Sequence, residues 1–305
     1  MKRALIAAVL MLASCGPAPD DAILDIGGGR PGATQTFAPA DLSAFFDCVR
    51  ERGATFVSAH RGGDGEGLAE NAISTFESTL AQTPAFLEVD VARTRDGHLV
   101  LMHDDTVDRT TNGSGNASAL TLEQFQALSL RDDDGNVLDA HPPSLREALD
   151  WADGKTVLEL DVKRGVSYED VARAVEAAGA IDRVVFITYS VDGASRLARV
   201  APNAMIYTTI RGVRDLDTLE RRGVELSRIV GWLGDEAFDE SLVEALSARG
   251  VEARVGLFGR GDDFAGAAQA GIAGVAVNDA LSAYREIDAV DGEEGFAASQ
   301  CLTAR

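Results

Sequence analysis

The chain is poor in basic residues, with 28 Lys and Arg against 49 Asp and Glu, which gives a net charge of −21. A surface of this sign repels the phosphates of nucleic acids, and we exclude nucleic acid as a partner. It also argues against a peripheral electrostatic grip on anionic lipid headgroups. An anionic phosphate substrate would have to be attracted locally, by a metal ion and a few cations in a cleft.

The sequence also has few long hydrophobic runs. The apolar run at residues 4–13 follows Lys2 and Arg3, is too short to span a bilayer and is typical of an export signal. Residues 12–15 read Leu-Ala-Ser-Cys, which resembles the signal of bacterial lipoproteins that are cleaved before a lipidated cysteine. We expect a signal peptide at residues 1–14 and an exported, periplasmic protein held at the membrane by lipid on Cys15, with Gly16 favouring the outer membrane. An ordinary secretory signal, in which Cys15 is incidental, is the alternative.

Residues 16–40 are rich in Pro, Gly and Ala and show no periodicity, so residues 15–40 are predicted to be a flexible tether. A single domain is expected at residues 41–305, where apolar runs alternate with amphipathic stretches. Predicted strands cover residues 55–59, 86–91, 156–162, 183–188, 204–208, 228–233, 251–257 and 274–277. Helical patterns cover residues 72–81, 144–151, 168–178, 193–200, 216–221, 239–248 and 263–270. Eight strand–helix units predict an α/β fold of the (β/α)₈ TIM-barrel class; the alternative, an open doubly wound sheet, lacks its Gly-rich phosphate loop here.

Cysteine is scarce, with three in the chain. Apart from Cys15, Cys48 and Cys301 lie near the two ends of the predicted domain, and barrels bring their ends near each other. An exported protein meets an oxidising compartment, so we predict a disulfide between Cys48 and Cys301. Two unrelated thiols are the alternative.

A long excursion at about residues 93–143 separates the second predicted strand from its helix, which predicts a small insertion after strand two. It opens with Asp96-Gly97, a strong signal for a two-residue hairpin turn. Such a turn places His103 opposite Asp90, at the mouth of the barrel.

Two predicted strands carry acids in alternation near their carboxyl ends. Glu88 and Asp90 point to one side of their strand, and two buried acids are costly unless a cation compensates them. Carboxylate oxygens suit Mg²⁺ or Ca²⁺. Asp161 could complete a three-carboxylate metal site, with Lys163 touching the phosphate as a point charge. An acid pair bridged by Arg or Lys, without metal, is the alternative.

Histidine is scarce too, with four in the chain. His60 follows the first predicted strand and His103 follows the hairpin, so two proton carriers would flank one centre. Arg61 offers a fork of donors that matches phosphate, and the two glycines after it would let the backbone approach a ligand. Taken alone, His-Arg-Gly is equally compatible with a surface loop. His98, beside the turn, and His141, before two prolines, are interpreted as bystanders.

Together these motifs resemble the glycerophosphodiester phosphodiesterase family. The match is specific at about residues 55–163 and looser beyond. The matching strings are His60-Arg61-Gly62, Glu70-Asn71, Glu88-Val89-Asp90-Val91, Asp96-Gly97, Leu99-Val100, His103-Asp104, Arg109-Thr110-Thr111, Gly113-Ser114-Gly115, residues 121–128 and 143–149, Thr188-Tyr189-Ser190 and Asn278-Asp279.

The resemblance implies a barrel with an insertion after strand two and hydrolysis of small glycerophosphodiesters to glycerol 3-phosphate and an alcohol. We expect the enzyme to be a monomer. The implied metal ligands are Glu88, Asp90 and Asp161, holding Ca²⁺ or Mg²⁺. The implied acid/base pair is His60 and His103. The implied phosphate or substrate contacts are Arg61, Lys163, Glu70 and Asn71.

The second half of the barrel departs from the family's pattern. The family often has Trp-Thr-x-Asn near strand seven, and residues 254–257 read Arg-Val-Gly-Leu here. The substrate's alcohol is therefore open, and Trp232 could supply either an aromatic surface or core packing. Two other functions stay open: a phospholipase or sphingomyelinase D-like phosphodiesterase on the same barrel, and a non-catalytic binding lipoprotein.

Overall fold

The predicted barrel is present in the computed structural model of the chain, which describes residues 36–235, 238–259 and 261–305. In this described part, eight parallel strands close into a ring, because the first strand pairs with both the second and the last. One further short strand pairs antiparallel with the second. The strands are β1 (Phe56–Ala59), β2 (Phe86–Arg93), β3 (Leu99–Leu101), β4 (Leu158–Val162), β5 (Val184–Thr188), β6 (Met205–Thr209), β7 (Ile229–Trp232), β8 (Glu252–Leu257) and β9 (Gly274–Val277).

Amphipathic helices pack around the ring and cover the apolar outer face of the strands. In the described residues they are α1 (Leu42–Arg52), α2 (Ile73–Gln82), α3 (Leu122–Gln126), α4 (Leu145–Ala152), α5 (Tyr168–Ala177), α6 (Val191–Val200), α7 (Val213–Arg221), α8 (Glu240–Ser247), α9 (Phe264–Gln269) and α10 (Ala280–Asp288). Several begin at a capping side chain: Ser144 and Glu147 form a reciprocal capping box at the start of α4. The helices α1, α3 and α10 are absent from the sequence-based prediction.

The hairpin between β2 and β3 has a longer turn than predicted. Thr94 pairs with His98, and the Gly97 N–H donates to the Thr94 carbonyl at 3.1 Å. Gly97 has a φ of 89°, so the loop holds three residues with a left-handed Gly at its end. The prediction of a two-residue turn is wrong, because Asp-Gly serves both loop lengths.

The register of the hairpin changes with its turn. Val91 pairs with Leu101, and the Met102 N–H donates to the Asp90 carbonyl at 2.9 Å. Met102, and not His103, therefore lies opposite Asp90. His103 comes one residue later, after the strand has ended.

The amino end of the barrel is closed by aromatic side chains. Phe37 is fully buried and packs among the rings of Phe45, Phe86 and Phe296. The packed domain therefore includes Phe37, which lies within the tether predicted at residues 15–40. Residues 15–35 of that tether, which include Cys15, and the predicted signal peptide lie outside the described residues.

The first and last parts of the domain are covalently joined. Cys48 on α1 and Cys301 form a disulfide, with their Cα atoms 5.7 Å apart. This cross-link lies at the amino end of the barrel, because α1 packs against the first residues of β1 and β2 through Phe45 and Phe46.

The insertion between β2 and α4 has a small apolar core of its own. It consists of Val100, Met102, Val107, Ala117 and Phe125. The insertion is thus a packed unit beside the mouth of the barrel. Among the described residues, none of the helices has the length and apolar character needed to cross a bilayer.

Candidate active site

Three carboxylates from neighbouring strands meet at the carboxyl end of the barrel. Glu88 and Asp90 come from β2, and the strand register pairs Asp90 with Asp161 of β4. One oxygen atom of each acid lies within 4.8 Å of those of the other two, and all three side chains are buried. Burial, together with repulsion from Asp90 and Asp161, raises the pKa of Glu88 well above its ordinary value. An all-oxygen set of this kind fits a hard divalent cation, which would relieve the repulsion.

Lys163 compensates part of this charge. Its Nζ lies 2.6 Å from Asp90 Oδ1 and 2.5 Å from Asp161 Oδ2. Burial lowers the pKa of Lys163, but the two carboxylates outweigh it, and the net shift is upward. The sequence left open a pair of Glu88 and Asp90 bridged by Arg or Lys, and Lys163 bridges Asp90 and Asp161 instead. Glu88 is outside that bridge, which leaves an excess of negative charge that suits a metal ion.

Arg61 is held in a left-handed conformation, with φ 53° and ψ 26°. This directs its backbone N–H to Glu88 Oε2, at 2.8 Å. The two glycines that follow are explained by α2: a Cβ on Gly62 would lie 2.3 Å from the ring of Phe76, and one on Gly63 equally close to Thr79 Oγ1. The glycines let a helix approach, where the sequence suggested approach of a ligand.

Glu70 and Asn71 contact Arg61 and Asp90, two side chains that are themselves expected to bind substrate or metal. Glu70 Oε2 accepts from Arg61 Nη1 at 2.8 Å. The Asn71 amide accepts from the Asp90 N–H at 2.9 Å and donates to Asp90 Oδ2 at 2.6 Å. In the structure Glu70 holds Arg61 and Asn71 holds Asp90, and direct contact of Glu70 and Asn71 with substrate stays a prediction.

His60 lies beside the carboxylates, with its Nε2 4.0 Å from Glu88 Oε2. Its Nδ1 donates to Asn278 Oδ1 at 2.8 Å, while the Asn278 Nδ2 donates to the Phe258 carbonyl at 3.2 Å. With Nδ1 protonated, Nε2 is the nitrogen free to accept a proton. Burial lowers the pKa of His60 and the nearby Arg61 lowers it further, against the Asn278 hydrogen bond, which raises it. Asn278 was noted in the sequence only as a strand-end match.

His103 belongs to a second cluster, on the insertion. Its Nδ1 lies 2.7 Å from Asp104 Oδ1, and Asp104 accepts two hydrogen bonds from Arg109. Arg109 also makes a two-bond fork to Glu70, at 2.7 and 2.8 Å. These bonds, led by those from Arg109, hold the pKa of Asp104 far below its ordinary value. One guanidinium thus links the carboxylate behind Arg61 to the carboxylate behind His103.

A cavity of about 260 Å³ opens over this site. It is lined by His60, Glu88 and Asp161, and also by rings that include Trp232 and Phe258. His103 is not part of that lining and faces a neighbouring cleft instead, together with Lys163, Asp104 and Arg164. The structure therefore brings His60, Arg61 and the three acids together, and His103 lies in the adjoining cleft, whose lining it shares with Lys163.

Comparison with known proteins agrees with this geometry. Residues 60–281 match the model of the glycerophosphoryl diester phosphodiesterase family. The chain belongs to this family. The glycerophosphodiester phosphodiesterase of Caldanaerobacter subterraneus subsp. tengcongensis is 31% identical over 159 residues, which cover 50% of the chain and 65% of that protein. The human glycerophosphodiester phosphodiesterase 1 is 35% identical over 120 residues, covering 37% and 35%. The chain thus matches less than two thirds of the length of these relatives.

Solved structures of the family extend the match to the whole barrel. A glycerophosphoryl diester phosphodiesterase of Parabacteroides distasonis superposes with a TM-score of 0.78 at 28% identity, covering 84% of the chain and 95% of that protein. A phosphodiesterase of Oleispira antarctica, in complex with its product sn-glycerol-3-phosphate, superposes with a TM-score of 0.64 at 20% identity, covering 78% and 99%. The second likeness concerns the fold alone.

This member of the family carries a buried ion pair beneath the site. Glu159 Oε2 accepts from Arg254 Nη2 and from Ser58 Oγ, both at 2.5 Å, and its Oε1 accepts from the Tyr207 hydroxyl at 2.9 Å. Glu159, Arg254 and Tyr207 are almost fully buried. Both carboxylate oxygens of Glu159 therefore have partners, which is the pattern of a structural residue.

Proposed function

We propose that the chain is a metal-dependent phosphodiesterase that hydrolyses glycerophosphodiesters to glycerol 3-phosphate and an alcohol. The observation that carries this proposal is the buried acid triad beside His60 and Arg61 in a barrel of this family. The complex of the Oleispira antarctica phosphodiesterase with sn-glycerol-3-phosphate supports the product. The phospholipase alternative has less support, because the only large exposed apolar side chain noted on the insertion is Val137 within the described residues.

Glu88, Asp90 and Asp161 would hold the metal ion, Ca²⁺ or Mg²⁺, through carboxylate oxygens. When bound, such an ion supplies positive charge to the phosphate and to the oxygens that develop charge during the reaction. Asn71 and Lys163 keep Asp90 in place, and Tyr189 donates its hydroxyl to Asp161 Oδ1 at 2.7 Å. The protein thus fixes each ligand from a second side.

Arg61 would bind a phosphate oxygen through its guanidinium, oriented by Glu70. His60, kept neutral by burial and carrying its proton on Nδ1, is suited to remove the proton of the attacking hydroxyl at Nε2. His103, with Nδ1 held by Asp104, would give a proton to the leaving alkoxide oxygen. The attacking hydroxyl would be the glycerol 2-hydroxyl, giving a cyclic phosphate that water then opens.

A labelling experiment tests this route. In H₂¹⁸O, the first phosphorus-containing species at short times should be an unlabelled cyclic phosphate, followed by labelled glycerol phosphate. Label in the first-formed product, with no cyclic species, would exclude internal attack and leave direct attack by water.

We also propose that the enzyme is exported to the periplasm as a monomer. Lipid on Cys15 would hold it at the membrane. This placement rests on the N-terminal sequence. Radiolabelled palmitate should enter the wild-type protein and not the Cys15→Ser variant. Equal labelling of both would contradict the proposal.

The activity itself is tested with a substrate panel. The soluble domain, from residue 36 onward, would be stripped of metal with a chelator and assayed after Ca²⁺ or Mg²⁺ is restored. We expect release of glycerol 3-phosphate from glycerophosphodiesters, and none from sphingomyelin or phosphatidylinositol. Turnover of the intact lipids alone would favour the phospholipase alternative, and turnover of no substrate in any metal would favour the binding protein.

A further inference from the structure

A groove of about 640 Å³ lies between the insertion and the helices α4 and α5. The insertion contributes the end of its hairpin, at Gly97 and His98, and each helix contributes one face. The apolar part of the lining consists of Leu99, Leu122, Leu145, Leu149, Ala174 and Ala177. Within the described residues, none of the three acids of the site belongs to this lining. We call it the insertion groove, and the proposed hydrolysis gives it no role.

The insertion groove carries positive charge, in contrast to the chain as a whole. The guanidinium groups of Arg93 and Arg173 both bind the carboxylate of Asp170, the one acid of the described lining. Arg146 also lines the groove, but it pairs with Asp150 and so adds no net charge. One positive charge is therefore in excess there, in a chain whose net charge is −21. A carboxylate that enters the groove would be attracted.

One stretch of sequence before the described domain matches both properties of the groove. Residues 20–26 read Asp-Asp-Ala-Ile-Leu-Asp-Ile, with three acids, three large apolar side chains and no basic residue. The stretch differs in composition from the Pro-, Gly- and Ala-rich sequence on either side of it. Its acids would meet the arginines while its Ile and Leu side chains cover the apolar lining.

The point at which the chain enters the domain puts this stretch within reach of the groove. The Phe37 N–H donates to the Lys155 carbonyl at 2.7 Å, and Phe37 pairs with Thr156, shortly after the end of α4. The chain thus enters beside a helix that forms one wall of the groove. Residues 27–35 separate the stretch from the described part, and nine residues span up to about 30 Å. The eight residues of α4 are about 12 Å long, so the groove lies well within that span.

We propose that residues 20–26 bind in the insertion groove of their own chain, with their acids near Arg93 and Arg173 and their apolar side chains on the lining. This inference goes beyond the proposed hydrolysis and does not depend on it. The short connection gives the stretch an effective concentration in roughly the millimolar range, so a weak contact is enough to keep it bound. Only residues 16–19 would then separate the groove from Cys15. If Cys15 carries lipid as proposed, the insertion would be held close to the membrane.

Proteolysis of the stretch tests the contact in the chain from residue 15 onward, with Cys15→Ser to prevent lipid attachment. An endoproteinase that cleaves before aspartate should cut before Asp25 about 10-fold more slowly in this protein than in its Arg173→Glu variant. The reason is that cleavage follows the unbound fraction, and the sequence that is cut is identical in both proteins. The Arg173 side chain is 73% exposed, so reversing its charge should leave the fold intact. Equal cleavage rates would overturn the proposal.

Arg199→Glu is the matched control, because Arg199 is exposed on α6 and the same change of charge is made outside the groove. Its cleavage rate should equal that of the starting protein. A rate that rises as much as in Arg173→Glu would reject the groove as the binding site. Asp20→Lys and Asp21→Lys, added to Arg173→Glu, should restore slow cleavage, because the charges are then exchanged between the two partners. Continued fast cleavage would contradict a direct contact.

A fluorescent peptide of residues 18–28 gives a second readout that needs no protease. By anisotropy, it should bind saturably to a chain in which residues 20–26 are replaced by Gly and Ser. Binding to the chain that keeps its own stretch should be about 10-fold weaker, because the groove is already occupied. A peptide of scrambled order should bind to neither chain, and equal binding of the ordered peptide to both would overturn the proposal. Protection from proteolysis that appears only at high protein concentration would place the stretch in the groove of a second copy and overturn the contact within one chain.

Discussion

The two sides of the barrel mouth are built in contrasting ways. On the side of β2 and β4, Asp90 and Asp161 sit in a dense set of hydrogen bonds from Asn71, Lys163 and Tyr189. On the side of β7 and β8, the rings of Trp232 and Phe258 pack over Gly256. The ion pair of Glu159 and Arg254 is buried below them. Charged groups are costly to bury and must each be partnered, whereas rings need only space. The residues on the first side are thus constrained by the charges that they must compensate. The residues on the second side are free to vary with the alcohol of the substrate.

The comparison predicts that the largest losses come from the charged side. His60→Ala should reduce kcat by roughly 10²- to 10⁴-fold, because it removes the proposed proton acceptor. The measurement is steady-state hydrolysis of a glycerophosphodiester, with far-ultraviolet circular dichroism to check the fold. His141→Ala is the control, since His141 is exposed and lies on the insertion beside Glu147. Wild-type turnover in His60→Ala would contradict the proposed base.

Arg109 tests whether the hydrogen-bond network of this side acts as a unit. Arg109→Met should lower kcat roughly 10- to 100-fold, because Glu70 and Asp104 would no longer hold Arg61 and His103 in register. Glu70→Gln added to Arg109→Met should cost less than the two changes do separately. Arg146→Met, which removes an exposed pair with Asp150, should leave kcat unchanged. Additive losses would mean that Arg109 acts elsewhere.

On the aromatic side, a single methyl group should change substrate choice. Gly256→Ala forces the rings of Trp232 and Phe258 to move, which should change the relative kcat/KM for glycerophosphodiesters of different alcohols several-fold and cost about 1–3 kcal/mol of unfolding free energy. Competition kinetics and denaturant unfolding measure the two effects. Gly212→Ala is the control, because a Cβ there meets no heavy atom within 4 Å among the described residues. Unchanged preference among the alcohols would show that the rings of Trp232 and Phe258 do not contact the alcohol.

The smallest effect is a shift in pH dependence. Asn278→Asp places a carboxylate against Nδ1 of His60 and should raise its pKa, which burial lowers in the wild type. A base must be neutral to act, so a raised pKa leaves less active enzyme at a given acidic pH. The acidic limb of the kcat/KM profile should therefore move to higher pH. Asn203→Asp, at an exposed site, should leave the profile in place, and a shift shared by both variants would reflect net charge alone.

Much of the fold was predictable because the strands are apolar runs of limited length. The last strand has the predicted bounds, 274–277, and the others differ by a few residues at their ends. The helix α1 was predictable as well: Asp41 caps it, and Leu42, Phe45, Phe46 and Val49 recur with helical spacing. The residues before α1 have the composition of a tether, which hides the start of the domain in the sequence.

The candidate site was predictable on one side of the mouth and not on the other. Alternation along β2 and β4 shows which face Glu88, Asp90 and Asp161 share. It does not show which distant residue meets them, and so the contacts of Asn278 and Tyr189 came only from the folded chain. Gly256 is the clearest case, since its missing side chain matters only once two rings converge on it.

The disulfide between Cys48 and Cys301, which are 253 positions apart, closes residues 48–301 into a covalent ring. If the chain is pulled by its amino terminus, tension passes through the two sulfur atoms and along α1 instead of peeling strands from the sheet. A protease that cuts one loop opens the ring without releasing a fragment, so the nicked protein should keep its full mass until a reducing agent is added. A barrel closed in this way thereby tolerates both a pull on its amino terminus and a single cleavage.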